Sequence, residues 1–102
     1  MHAQISKPNV PAVTSGQQLV TTDANSLATS ALHEDQAFMV WSADDFYCFG
    51  AANSTPVAQA TTMPRLRGGV VHVFTAAPGK TFIHAARTAG VNITAYVFPI
   101  GS

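Results

Sequence analysis

Charged side chains are scarce in this chain: they make up 10% of its 102 residues, five of each sign, for a formal net charge of zero at neutral pH. So few Lys and Arg leave no basic stripe to neutralise a phosphate backbone, which argues against nucleic acid as a partner. Self-repulsion is absent too, so the surface favours association. Cys48 is the only cysteine. It has no internal partner, which removes the disulfide staple of small secreted scaffolds and points to a reducing compartment. No apolar run approaches the roughly 18 residues needed to cross a bilayer, and no charged leader with an apolar core opens the chain. The expectation is a soluble protein made in the cytoplasm, without membrane contact. Tryptophan occurs once, and much of the 47% hydrophobic content is alanine. With abundant Thr and Ser, that is the texture of closely apposed β surfaces rather than of a large aromatic core.

What is present is strand chemistry. Gly69–Thr75, Lys80–Arg87 and Val91–Phe98 are strand-length runs rich in Val, Ile, Thr, Phe and Tyr. Ala76-Ala77-Pro78-Gly79 between the first two offers Pro for a fixed φ and Gly for a positive one, the requirements of a type II turn. Connections this short predict an antiparallel meander. Ala37–Ser42 and Phe46–Gly50 read as a hairpin around Ala43-Asp44-Asp45, and Gln17–Thr22 as a further strand closed by the turn Asp23-Ala24-Asn25-Ser26. Leu27–Asp35 reads as non-helical. In Ala37–Ser42, Phe38 and Val40 share one face while Met39 and Trp41 share the other, so both faces are apolar. Phe46–Gly50 and Val91–Phe98 repeat the pattern. A sheet with one face in water alternates apolar and polar residues, so a second layer, from this chain or another copy, is expected over these strands.

The fold class that follows is all-β: a small antiparallel β-sandwich, jelly-roll-like, of about seven strands, with strand order left open. Residues 1–16, with two prolines and no periodicity, form an extended N-terminal arm, and residues 17–102 form the single sandwich domain. Residues 51–64, small and patternless, are expected to carry the chain across an end or edge of the sandwich.

Groups able to do chemistry are few. His72 and His84 flank the Pro78-Gly79 turn, and the register decides whether they approach each other. A cupin-like metal site needs two His spaced by one residue and a Glu beyond them; residue 70 is Val, residue 74 is Phe, and no Glu follows Glu34. His33-Glu34-Asp35 and Asp44-Asp45 read as solvated turns. Cys48 sits among Phe46, Tyr47 and Phe49, the surroundings of an inert thiol. No nucleophile elbow and no glycine-rich phosphate loop is present, so no catalytic residue, metal or cofactor is expected, and the chain reads as a non-enzyme. The features left over suit binding. Trp41, Tyr47 and Tyr96 are amphipathic strand aromatics, and Arg65 and Arg67 are two of only five cations, suited to acidic loops of a neighbour.

The order of these features, Phe38–Ser42, Phe46–Gly50, the Ala/Thr/Pro linker Ala51–Ala60, the entry Met63–Phe74, the turn and strand Ala76–Ala86 and the last strand Ala89–Val97, resembles the small virion proteins of tailed bacteriophages. The resemblance covers about residues 17 to 98. It is a texture of small residues and turns, not a fixed motif. What it implies is a compact β-sandwich in the virion that decorates or cements the head, or sits at a head and tail junction; the expected partners are the major capsid protein or other virion proteins, with the chain as a homo-oligomer. A tail or fibre module reading a host glycan through Trp41 and the tyrosines is the alternative, and a small metal enzyme using His72 and His84 is a distant third.

Overall fold

The computed structural model describes residues 16–100, which form eight strands and no helix. They are β1 (Gln17–Val20), β2 (Leu27–Ala28), β3 (Ala37–Ser42), β4 (Phe46–Ala51), β5 (Arg65–Leu66), β6 (His72–Thr75), β7 (Phe82–Arg87) and β8 (Thr94–Pro99). The arm predicted over residues 1–16 lies, except for Gly16, outside the described residues. Two four-stranded antiparallel sheets form, in the orders β1-β8-β3-β6 and β2-β7-β4-β5. The ladders pair first strand with last and work inward: β1 with β8, β2 with β7, β3 with β6, β4 with β5. That is an antiparallel ribbon rolled into a sandwich, the jelly roll expected from the sequence, with one strand more than predicted.

The core lies between the sheets and follows the period of two. Phe38 and Val40 of β3, Ala95 and Val97 of β8, and Leu19 of β1 meet Phe46 and Cys48 of β4 and Ile83 and Ala85 of β7. Small alanines in both β7 and β8 match the alanine-rich composition and leave room for the larger Phe38 and Phe46.

Two local expectations do not hold. The meander is not formed: β6 and β8 belong to one sheet and β7 to the other. The hairpin at Ala43-Asp44-Asp45 is not formed either, since β3 and β4 lie in opposite sheets. A short connection fixes that strands reverse, but a reversal within a sheet and an arch between sheets need similar lengths. Backbone bonding decides. After β6, the Ala76 N–H still donates to the Gln36 carbonyl (2.9 Å) and its carbonyl accepts from Asp35 N–H (2.8 Å), which keeps the chain on the first sheet. The turn Ala77–Lys80, with Lys80 N–H on Ala77 O (2.9 Å) and Gly79 at φ 73°, then steps across. At the β3–β4 corner, Gly68 presses its backbone on Ala43 and Asp44 so closely that a Cβ there would overlap them, and its N–H donates to Asp45 Oδ1 at 2.8 Å. Gly68 and the positive-φ Gly69 also explain why β6 starts at His72 rather than at residue 69.

Candidate interaction surface

Each strand buries one side in the core, so the sandwich has two outer faces, and the chain treats them differently. On the β2-β7-β4-β5 sheet, Tyr47, His84 and Ala86 point away from the core and are nonetheless buried. The linker after β4 runs across this face, bonded to it from Asn53 to Gln59. Sequence reasoning placed this linker at an end or edge of the sandwich; it runs across a face because its backbone finds partners there. The Asn53 carbonyl takes a hydrogen bond from His84 Nε2 (2.9 Å), Ser26 N–H donates to Val57 O (2.8 Å), Gln59 N–H donates to Ala24 O (2.7 Å), and Gln59 Oε1 accepts from Arg87 Nε (3.0 Å).

The centre of this covered face is a chain of hydrogen bonds. Val57 N–H donates to Ser26 Oγ (2.9 Å), and Ser26 Oγ lies 2.8 Å from His84 Nδ1. Because Asn53 O only accepts, His84 Nε2 is the donor in that bond. His84 is fully buried and stacks on Phe49 with ring centres 4.8 Å apart. Both ring nitrogens are thus occupied by protein. His72 lies in the other sheet, beside Phe46 and Phe74, with Nε2 donating to the Arg67 carbonyl at 3.0 Å. His72 and His84 thus lie in different sheets and share no ladder, and the described residues contain no cluster of three or more metal-ligating side chains. Cys48 is buried in the core, and burial pushes its thiol up to about 12. At neutral pH it carries no thiolate character.

The β1-β8-β3-β6 sheet presents the opposite outer face. Met39 and Trp41 of β3, Tyr96 and Phe98 of β8, and Val71 and Val73 beside and on β6 share it; the two valines are exposed, the other four are half-buried, and no linker of the described residues crosses them. Trp41 sits directly across from Tyr96 with ring centres 5.9 Å apart, and Tyr96 and Phe98 run parallel at 6.4 Å. Val71 is 55% and Val73 60% exposed. The Phe98 ring packs over Gly16 where a Cβ would overlap it. Gln18, opposite Tyr96 on β1, is a polar neighbour of these rings.

Of the side chains singled out from the sequence, the structure brings Trp41 and Tyr96 together on this open face. Tyr47 is only 5% exposed, under the linker, and offers no surface. Arg65 pairs with Asp45 (Nη2 to Oδ2, 3.0 Å), an exposed contact within the chain, and Arg67 lies near the same carboxylate. Gly68 N–H first and Arg65 second hold Asp45 below its ordinary carboxylate range. The two arginines thus form a local charge cluster at the β3–β4 corner rather than a rim to the aromatic patch. Val71, Val73, Met39 and Phe98 were missed as surface groups. Their signal was the doubly apolar strand pattern itself, which says that something covers each face without saying what.

Between the free edges β6 and β5 the sandwich is not closed. A cleft of about 310 Å³ opens there onto Phe38, Cys48, Leu66, Phe74 and Ile83, with Lys80 at its lining. Searches of protein-family models, of curated proteins and of solved structures return no match to this chain.

Proposed function

We propose that this chain is a virion structural protein that works by adhesion, a decoration or cement subunit bound to the head lattice of a tailed phage. The observation that carries the reading is the apolar outer face of the β1-β8-β3-β6 sheet, built on Trp41, Tyr96, Met39, Phe98 and the two valines, which has no linker cover among the described residues. Contiguous apolar patches with aromatic anchors are rare on free monomers and mark docking surfaces. Near-zero net charge supports the same reading, because a lattice subunit has its surface largely buried against neighbours. The resemblance in residue texture across residues 17 to 98 supplies the phage head. In this mechanism the face docks on the major capsid protein, the N-terminal arm reaches over a neighbouring subunit, and the bridge raises the barrier to rupture by packaged DNA. No covalent chemistry is involved, and no cofactor.

The test is the copy number of the chain in purified particles, by quantitative mass spectrometry against the major capsid protein. One copy per capsid subunit, or per few subunits, is the expected result, with Trp41→Asp losing attachment while remaining folded. Absence from particles overturns the reading. The tail or fibre alternative draws on one observation, the adjacent Trp41 and Tyr96 rings beside Gln18, which form a platform of the kind sugars stack on. It expects a few copies per particle and quenching of Trp41 fluorescence by a host glycan.

A further inference from the structure

The four sheet edges are not alike. β2 and β5 are two residues each, and β5 contains Arg65 and is flanked by Pro64 and Arg67. β1 carries Gln17 and Gln18, and Gln17 exchanges hydrogen bonds with Ser30, in the bend that follows β2 (2.9 and 3.1 Å). Short length, proline, charge and cross-links are how proteins blunt an edge against further pairing. β6 has none of these. It reads His-Val-Phe-Thr, is preceded by Gly68-Gly69-Val70-Val71, and contains no Asp, Glu, Lys or Arg; Val70, Val71, Val73 and Phe74 are each more than 40% exposed.

Its backbone is set for pairing. Ala76 N–H donates to Gln36 O, one step beyond the Ala37↔Thr75 register. Hydrogen-bonded and non-bonded pairs alternate along an antiparallel ladder, so Phe74 and His72 direct their N–H and C=O groups to β3, while Val73 and Thr75 turn theirs to the free side. We propose that this edge pairs with β6 of a second copy of the same chain, about a two-fold axis at Val73. That axis joins the free backbone groups of Val73 to those of Val73 in the second copy. It places His72 of one copy against Phe74 of the other on the inner side, as His72 and Phe74 already stack within one chain (6.3 Å, 11°). A two-fold interface must be self-complementary. A strand without Asp, Glu, Lys or Arg, on a chain of zero net charge, meets its own copy without like-charge contact, whereas a charged partner gains nothing from it. The pairing extends the first sheet to twice its strands, merges the two open aromatic faces into one, and shields the mouth of the cleft where Phe74 is exposed.

Neither the head lattice nor a phage is needed for this inference; it concerns the isolated chain. Sedimentation-velocity analysis of the full chain across a concentration series is the test. The wild type is expected to show a reversible monomer–dimer equilibrium in the range of small interfaces. Val73→Pro removes the outward N–H without touching the β3 ladder, and Val73→Lys sets two ammonium groups against each other. Each is expected to weaken dimerisation at least tenfold with circular dichroism unchanged. A wild type that stays monomeric at every concentration overturns the proposal, as does a dimer that a folded Val73→Lys variant retains.

Discussion

The two outer faces of this sandwich begin from the same kind of sequence and end in opposite states. On the β2-β7-β4-β5 sheet, outward Tyr47, His84 and Ala86 lie beneath the linker after β4, and the polar groups trapped there are bonded, from Val57 through Ser26 and His84 to Asn53. On the β1-β8-β3-β6 sheet, outward Met39, Trp41, Tyr96 and Phe98 have no such cover among the described residues. Among the described residues, then, one face is closed by the chain's own linker while the other has no comparable cover. A cover made of small residues serves because it hydrogen-bonds rather than packs: Ser26 and His84 give the linker fixed points, and the linker in turn satisfies groups that burial would otherwise orphan.

The sharpest way to test that contrast is a charge placed on each face. Ala86→Asp sets an unpaired carboxylate at a fully buried position of the covered face. Its cost is expected to be at least about 4 kcal/mol, from desolvation and crowding together, a large share of the total stability of a small domain. Val73→Lys on the open face is expected to change monomer stability by less than about 0.5 kcal/mol. Urea denaturation midpoints check both. Comparable losses from the two variants would mean that the open face is covered after all.

Next in size is the hydrogen-bonded centre of the cover. His84→Ala removes a fully buried ring and strands the Ser26 hydroxyl and the Asn53 carbonyl, for an expected loss of about 3 kcal/mol. Ser26→Ala leaves Val57 N–H and His84 Nδ1 without their partner and is expected to cost about 2 kcal/mol. The double variant is expected to cost less than the sum, because each single change breaks the same chain of bonds. Additivity in a double-mutant cycle would show that the network is not one unit.

How far the sequence itself reveals this arrangement depends on the kind of information each feature needs. The period of two in Phe38, Val40 and their outward neighbours Met39 and Trp41 fixes a strand with two apolar faces, and the fold class follows from several such strands. The Pro78-Gly79 turn is equally local, and it forms where expected. What a single strand cannot carry is the identity of its neighbour. Whether Thr75 leads into a hairpin or an arch is settled by Ala76 bonding back to Asp35 and Gln36, forty residues upstream in register, and the meander expectation failed at that point. The candidate surface divides in the same way. Trp41 and Tyr96 were legible as aromatics suited to an interface, yet Tyr47 has the same strand setting and is buried. Only the path of residues 52–63 separates them, and nothing in that patternless stretch announces which face it crosses.

The smallest expected effect concerns the corner that joins the two sheets. Asp45 accepts from Gly68 N–H (2.8 Å) and from Arg65 (3.0 Å), and these bonds, the backbone one foremost, hold its carboxyl below the ordinary value of 3.8. A carboxylate depressed in the folded state binds fewer protons there than in the unfolded chain near and below that value. Its contribution is therefore complete above 3.8 and is lost as pH falls through the folded value. Asp45→Asn is expected to lower the melting temperature slightly at neutral pH, and the gap to the wild type is expected to close as the solution is acidified well below 3.8. Thermal melts of both proteins along a pH series read this directly. A gap that persists unchanged into acid would assign the loss to the altered Gly68 contact rather than to charge, and would make the corner a matter of backbone geometry alone.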